Sequence, residues 1–218
     1  MTAPDSARTM RERIATGRLF TDDCEGLPEE RAAAKRAMTR YNTADLGDGE
    51  VRAQLLAELL HVTPEQAATI WVEPPFGCAY GSHIEIGAGS YVNMNCMFVD
   101  DGAITIGERV MMGPSITLAT TSHPIAPSRR GYMFCDPIVI GDDTWIGSGV
   151  TICPGVSIGA GSVIGAGAVV TKDIPAGVLA VGNPCRVLRE ITVEDEACYR
   201  PGVPFDPEDL EQERRLRG

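Results

Sequence analysis

A six-residue period in the middle of the chain limits its fold more than any other feature. Ile86, Val92, Phe98, Ile104, Val110 and Ile116 stand six residues apart, and after a break Ile140, Ile146, Ile152, Ile158, Ile164 and Val170 do the same. This is neither the period of about 3.6 of a helix nor the period of about 2 of one strand; it fits short strands joined by regular turns, which stack as a parallel β-helix. Four residues after successive anchors of the second run come Thr144, Val150, Val156, Ser162 and Ala168, all small or β-branched, and glycine follows Ile140, Ile146, Ile158 and Ile164. A narrow prism needs a branched aliphatic alternating with a smaller residue, and glycine relieves its corners. The alternative is a β-sandwich with Gly-rich turns, whose strands would be spaced irregularly at about 8–12 residues.

Glycine marks the boundaries of this middle region, since 18 of the 24 glycines fall between Gly77 and Gly182. The chain divides into a helical segment over 1–62, a solenoid over 63–190 with an external loop at 119–137, and a C-terminal tail over 191–218. Helices are predicted over 5–16, 28–41 and 49–60. Glu29 and Glu30 open the second and Lys35, Arg36 and Arg40 close it, an order that suits the helix dipole. Leu55, Leu56, Leu59 and Leu60 form an apolar stripe to be packed on the rest of the protein. With Pro201, Pro204 and Pro207 the tail reads as extended, and Asp206 followed by Pro207 can start a short helix through 217.

Charge narrows the partners. The 19 basic and 30 acidic side chains give a net charge of −11, and the longest basic runs are pairs such as Arg129 and Arg130. Broad binding to nucleic acid or to an anionic membrane needs a basic face, which is missing here. No apolar stretch approaches the roughly 20 residues of a membrane span, and the stretch 1–15 lacks the apolar centre of a signal peptide. Seven cysteines are scattered singly with no C-x-x-C pair. That pattern points to reduced thiols in the cytoplasm and against a disulfide frame or a zinc site.

The period fails between Leu118 and Ile138. A solenoid tolerates an insertion only where it leaves the stack as a loop, and loops on a rigid scaffold concentrate function. This loop carries His123, one of only three histidines. With an ordinary pKa of about 6.5, such a side chain can serve as a general base near neutrality.

Several motifs then converge: TTSHP at 120–124, YVNMN at 91–95 with VDD at 99–101, WIGS at 145–148, VTKDIP at 170–175 and GNPCRVLR at 182–189. Together with the hexapeptide repeats they resemble the hexapeptide-repeat O-acetyltransferases of sugars. The segment GRLFTDDCEGLP at 17–28 narrows the resemblance to the maltose and galactoside acetyltransferases.

This resemblance implies a mainly β fold, a left-handed parallel β-helix with an N-terminal helical segment, although the general crossover rule would favour the right hand. It also implies a homotrimer with acetyl-CoA lying between neighbouring helices and a sugar or glycoside as acceptor, with no metal required. His123 matches the catalytic base, which takes the proton from the acceptor hydroxyl as it attacks the thioester. Asn93 matches the residue that stabilises the transition state, and the backbone N–H near Ser148 is a second candidate. Asp22, Asn93 and Asp101 match acceptor ligands; carboxylates and amides suit sugar hydroxyls because their hydrogen bonds have fixed directions. Ser148, Ala166, Thr171, Lys172, Arg186 and Arg189 match the coenzyme site, with the three cations suited to its phosphates. The chain departs from the galactoside pattern at Ala79, where a serine is usual, so one acceptor hydrogen bond is lost. Another hydroxylated acceptor, such as a lipochitin oligosaccharide or an antibiotic, is the alternative within the class. A zinc hydratase of the γ-carbonic-anhydrase type shares the fold but needs three histidines around one metal. Of His61, His83 and His123, the first lies in the helical segment.

Overall fold

The computed structural model describes residues 9–21, 26–45, 47–208 and 210–211. Helices α1 (Met10–Ala15), α2 (Leu27–Thr43), α3 (Gly49–Leu60) and α4 (Pro64–Ala67) precede a β-solenoid of three faces. The first face stacks Trp71–Val72, Tyr91–Val92, Met111–Met112, Trp145–Ile146, Val163–Ile164 and Val178–Val181. The second stacks Gly77–Cys78, Met97–Val99, Thr117–Ala119, Thr151–Ile152 and Val169–Val170. The third stacks Ile84–Ile86, Ile104–Ile106, Ile138–Ile140 and Ser157–Ile158. Each coil visits the faces in that order and every pairing between coils is parallel.

Eleven of the twelve anchors are buried, and Ile86 is half-buried against the same core. They do not, however, form the single column that one period predicts. Ile86 aligns with Ile106, Ile140 and Ile158, whereas Ile104 aligns with Ile84 and Ile138. Between Phe98 and Ile104 the phase therefore slips by two residues. Ile104, Val110 and Ile116 fall in the column of Thr144 and Val150, while Ile106, Met112 and Leu118 continue the column of Val92 and Phe98. Both columns line the interior, so an aliphatic residue satisfies either. Close stacking also explains the corner glycines: a Cβ on Gly147 would come within 2.6 Å of the Ala166 nitrogen in the next coil.

The helices roof the open end of the prism. The fully buried Tyr41 donates its hydroxyl to the Val72 carbonyl at 2.5 Å, and the Asn42 amide bonds both the N–H and the carbonyl of Phe76. Leu56, Leu59 and Leu60 are buried and Leu55 packs partly against the same core, as the stripe predicts. Part of the first predicted helix, at 5–8, lies outside the described residues.

The external loop leaves the stack as an antiparallel pair, Thr121–Ser122 with Phe134–Cys135, around a short 3-10 turn at Pro127–Arg129. Phe20, fully buried, exchanges two backbone hydrogen bonds with Met133, so the N-terminal segment is tied to this loop. At the end of the solenoid Arg186–Glu190 turns back antiparallel to Val178–Val181, and the tail is not the extended chain its prolines suggest: it forms a helix α5 (Val193–Ala197) and a hairpin of Cys198–Arg200 with Val203–Pro204. Thr192 and Asp195 cap α5 reciprocally, a local signal that outweighs the flanking prolines. A helical turn begins at Pro207, but most of the predicted stretch to 217 lies outside the described residues.

Candidate active site

The phase slip and the external loop meet at one edge, between the second and third faces. There Asp101, Thr121 and His123 line a groove of about 470 Å³, with Ala79, Met97 and Met133 as its apolar wall. Met97 reaches this wall because Gly77 lies beneath it; a Cβ on Gly77 would sit 2.4 Å from the Met97 methyl.

His123 is exposed, and its Nδ1 lies 3.0 Å from the Arg130 carbonyl and 3.1 Å from that of Tyr132. Carbonyl oxygens only accept, so in the neutral ring Nδ1 carries the proton and Nε2 the lone pair. That tautomer suits a base. Asp101 is buried; its Oδ2 accepts from the Thr121 hydroxyl at 2.7 Å, and its Oδ1 faces an Arg31 nitrogen at 3.3 Å.

Asn93 stands elsewhere, at the edge between the first and second faces. Its Oδ1 accepts from the Met94 N–H at 2.8 Å, which leaves its two amide protons to donate. Stacked hydrogen bonds place Met94, Pro114, Ser148 and Ala166 in successive coils along this same edge. Thus Asn93, Ser148 and Ala166 share one edge, whereas Asp101 and His123 share the other. Thr171 and Lys172 are exposed just past Val169–Val170, farther along the His123 edge. Arg186 pairs with Val181 at the far end of the first face. Arg189 is already engaged: both terminal nitrogens bond the Asp195 carboxylate at 2.7 Å, and this holds the Asp195 carboxyl well below the usual range. Asp22 lies outside the described residues.

Spacing did not reveal three residues that pack at this edge. Arg31 and Tyr80 reach the site only through folding, and Asp100 reads as one of two equivalent acids until the structure buries it. The Asp100 and Asp101 pair at the phase slip is the one signal that could have marked it. Among the described residues no cluster of His, Cys, Asp or Glu side chains could hold a metal, and no helix is long and apolar enough to cross a membrane.

Residues 137–172 of the solenoid match the family described as bacterial transferase hexapeptide (six repeats), which places the fold among acyltransferase scaffolds. Residues 13–63 match the maltose acetyltransferase hexapeptide capping motif. Galactoside O-acetyltransferase of Escherichia coli K12 is 49% identical over 192 residues, covering 87% of this chain and 93% of that protein. A galactoside acetyltransferase solved in complex with coenzyme A superposes with a TM-score of 0.83 at 44% identity, covering 91% of this chain and 99% of that one. A hexapeptide-repeat acetyltransferase from Vibrio cholerae, solved with acetyl coenzyme A, gives 0.74 at 35% identity over 85% of this chain and 100% of its own. The chain belongs to the maltose and galactoside O-acetyltransferase family, and it is an O-acetyltransferase.

Proposed function

We propose that this O-acetyltransferase moves the acetyl group of acetyl-CoA to a hydroxyl of a sugar or glycoside, with His123 as general base. The observation that carries this reading is the pair of carbonyls on His123 Nδ1, which leaves the lone pair of the neutral ring to Nε2 on a residue that lines the same groove as Asp101. His123 Nε2 takes the hydroxyl proton as that oxygen attacks the thioester carbonyl, and the proton then passes to the departing thiolate. Positioned proton transfer of this kind contributes about 10²–10⁴-fold. The free amide protons of Asn93 suit the negative charge developing on the carbonyl oxygen. Asp101 accepts from acceptor hydroxyls, and Asp22 retains the acceptor role implied by the family resemblance.

For the coenzyme, small exposed residues at Ser148 and Ala166 leave room for the pantetheine arm, and Thr171, Lys172 and Arg186 remain for its polar end. Arg189 shares its charge with Asp195, so Lys172 and Arg186 are the principal phosphate cations.

Asn93 and His123 sit on opposite edges of the second face, so a neighbouring copy must supply one of them to a common site. A homotrimer with sites between subunits meets this need. The outward residues of the first face, Trp71, Tyr91, Met111, Trp145, Val163 and Leu179, form a continuous apolar column suited to subunit contact. The six described cysteines are free thiols, in keeping with a cytoplasmic enzyme.

The test is thiol release from acetyl-CoA against maltose, glucose, galactosides, chitin oligomers and antibiotics. Turnover is expected with at least one of the simple sugars. Turnover confined to chitin oligomers or antibiotics would replace the acceptor assignment.

A further inference from the structure

Two acids stand side by side at the phase slip, and only Asp101 lines the groove with His123. Asp100 is fully buried: its Oδ1 accepts from the N–H groups of Ala79 and Tyr80 at 2.7 and 2.9 Å, and its Oδ2 accepts from Gly81 at 2.7 Å. Its carbonyl accepts from His83 Nδ1 at 2.7 Å. Burial pushes its carboxyl above the ordinary value while those three amides oppose the shift. A buried carboxylate with three backbone donors is a structural clamp, and what it clamps is the segment behind the groove wall.

The contacts continue from there. Tyr80 is buried, its hydroxyl accepts from Arg31 Nη2 at 2.8 Å, and its ring lies 5.1 Å from the guanidinium carbon. The same Arg31 nitrogen reaches Asp101 Oδ1. Asp101 adjoins Asp100 in the chain, so the path closes on itself.

We infer that Asp100 and Tyr80 are positioning residues for the acceptor, holding Arg31 and through it Asp101 in one orientation towards the groove. The inference rests on Asp101 as an acceptor ligand. Each Asp101 oxygen already accepts one bond, so the lone pairs that remain can take only donors, and neighbouring hydroxyls on a sugar ring supply two in fixed directions. A carboxylate fixed beforehand loses no rotamer freedom when the acceptor binds. The clamp thereby acts on acceptor affinity and leaves the coenzyme site alone.

The experiment compares Tyr80→Phe, Asp100→Asn, Asp101→Ala and the double variant Tyr80→Phe/Asp101→Ala, using the fastest sugar of the acceptor panel. KM for the sugar, KM for acetyl-CoA, kcat and thermal stability are read for each. Tyr80→Phe removes one hydroxyl and is expected to raise the sugar KM about three- to tenfold, with kcat and the acetyl-CoA KM changed less than about twofold. Asp100→Asn turns an amide NH₂ towards a backbone N–H and should raise the same KM further. In the double variant the sugar KM should not exceed that of Asp101→Ala alone. If Asp101→Ala leaves the sugar KM unchanged, the acceptor reading falls. If Asp101→Ala raises it but Tyr80→Phe lowers only stability, or the two effects multiply, the acceptor reading stands and the positioning role is overturned.

Discussion

Between Cys78 and Leu118 each coil takes twenty residues, and between Ile140 and Val170 it takes eighteen. The two additional residues enter at a single edge, where the second face turns into the third. In the wide coils that edge buries Asp100, Asp101 and Thr120, whereas the buried polar residues of the regular coils are Thr144 and Ser162. Each buried group of the wide edge is met by backbone or side-chain partners, as with Thr120, whose hydroxyl donates to the Val99 carbonyl and accepts from the Gly102 N–H. A lengthened corner thus admits carboxylates without breaking the parallel ladder. The regular coils bury mainly aliphatic anchors, and the wide coils hold Asp101, the proposed acceptor ligand.

Substitutions should separate these two tasks. The largest effect is expected from His123→Ala, which should cut acetyl transfer by about 10²–10⁴-fold while unfolding temperature and coenzyme affinity stay unchanged. Undiminished turnover would remove the base from the loop. The counterpart in the regular coils is Ile152→Ala at a fully buried anchor, expected to cost about 2–5 kcal/mol of stability with transfer per folded molecule preserved. Denaturant titration with activity measured below the transition would check it.

A finer contrast pairs Thr120→Val with Thr144→Val, both nearly isosteric and both buried. Thr120 bridges a donor and an acceptor, so its loss leaves the Gly102 N–H unsatisfied and should cost about 1–3 kcal/mol. Thr144 donates to carbonyls only, Gly141 at 2.7 Å and Gly159 at 3.5 Å, and should cost less. Equal costs would erase the distinction between the corners.

The smallest effect concerns the tail. Two hydrogen bonds from Arg189, and those from Thr192, depress the Asp195 carboxyl. Because the folded value lies below the unfolded one, this contribution is complete above about pH 4 and fades as pH falls through the lowered value. Amide protection in Val193–Ala197, corrected for the intrinsic exchange rate at each pH, should therefore fall on acidification before protection in the regular coils does.

The regular run was legible because glycine and a single large anchor recur at fixed offsets from Ile140 to Val170. The wide run was legible only as a solenoid. Ile104, Val110 and Ile116 keep six-residue spacing while lying in the other column, and hydrophobicity does not distinguish two columns that face one interior. His123 could be found from the break in the period. The separation of Asn93 from His123 could not, since it depends on which edge each corner occupies. Nor could the capture of Arg189, because its partner lies in a tail whose prolines suggested extended chain and whose short capped helix answers to Thr192 and Asp195.

The reversed strand Arg186–Glu190 also bears on how the stack of coils ends. A stack of parallel strands that merely stopped would present an open rim of unpaired amides and carbonyls, and a second molecule could dock its own rim there and extend a filament. Here the last parallel rung, Val178–Val181, is covered by a strand running the opposite way, with Arg186, Arg189 and Glu190 exposed along it. Reversed direction and charge together make a poor template for another rung. With helices over the opposite end, the solenoid is a polymer of fixed length, stopped at one tip by helices and along the first face of the other by a strand that offers no matching rung.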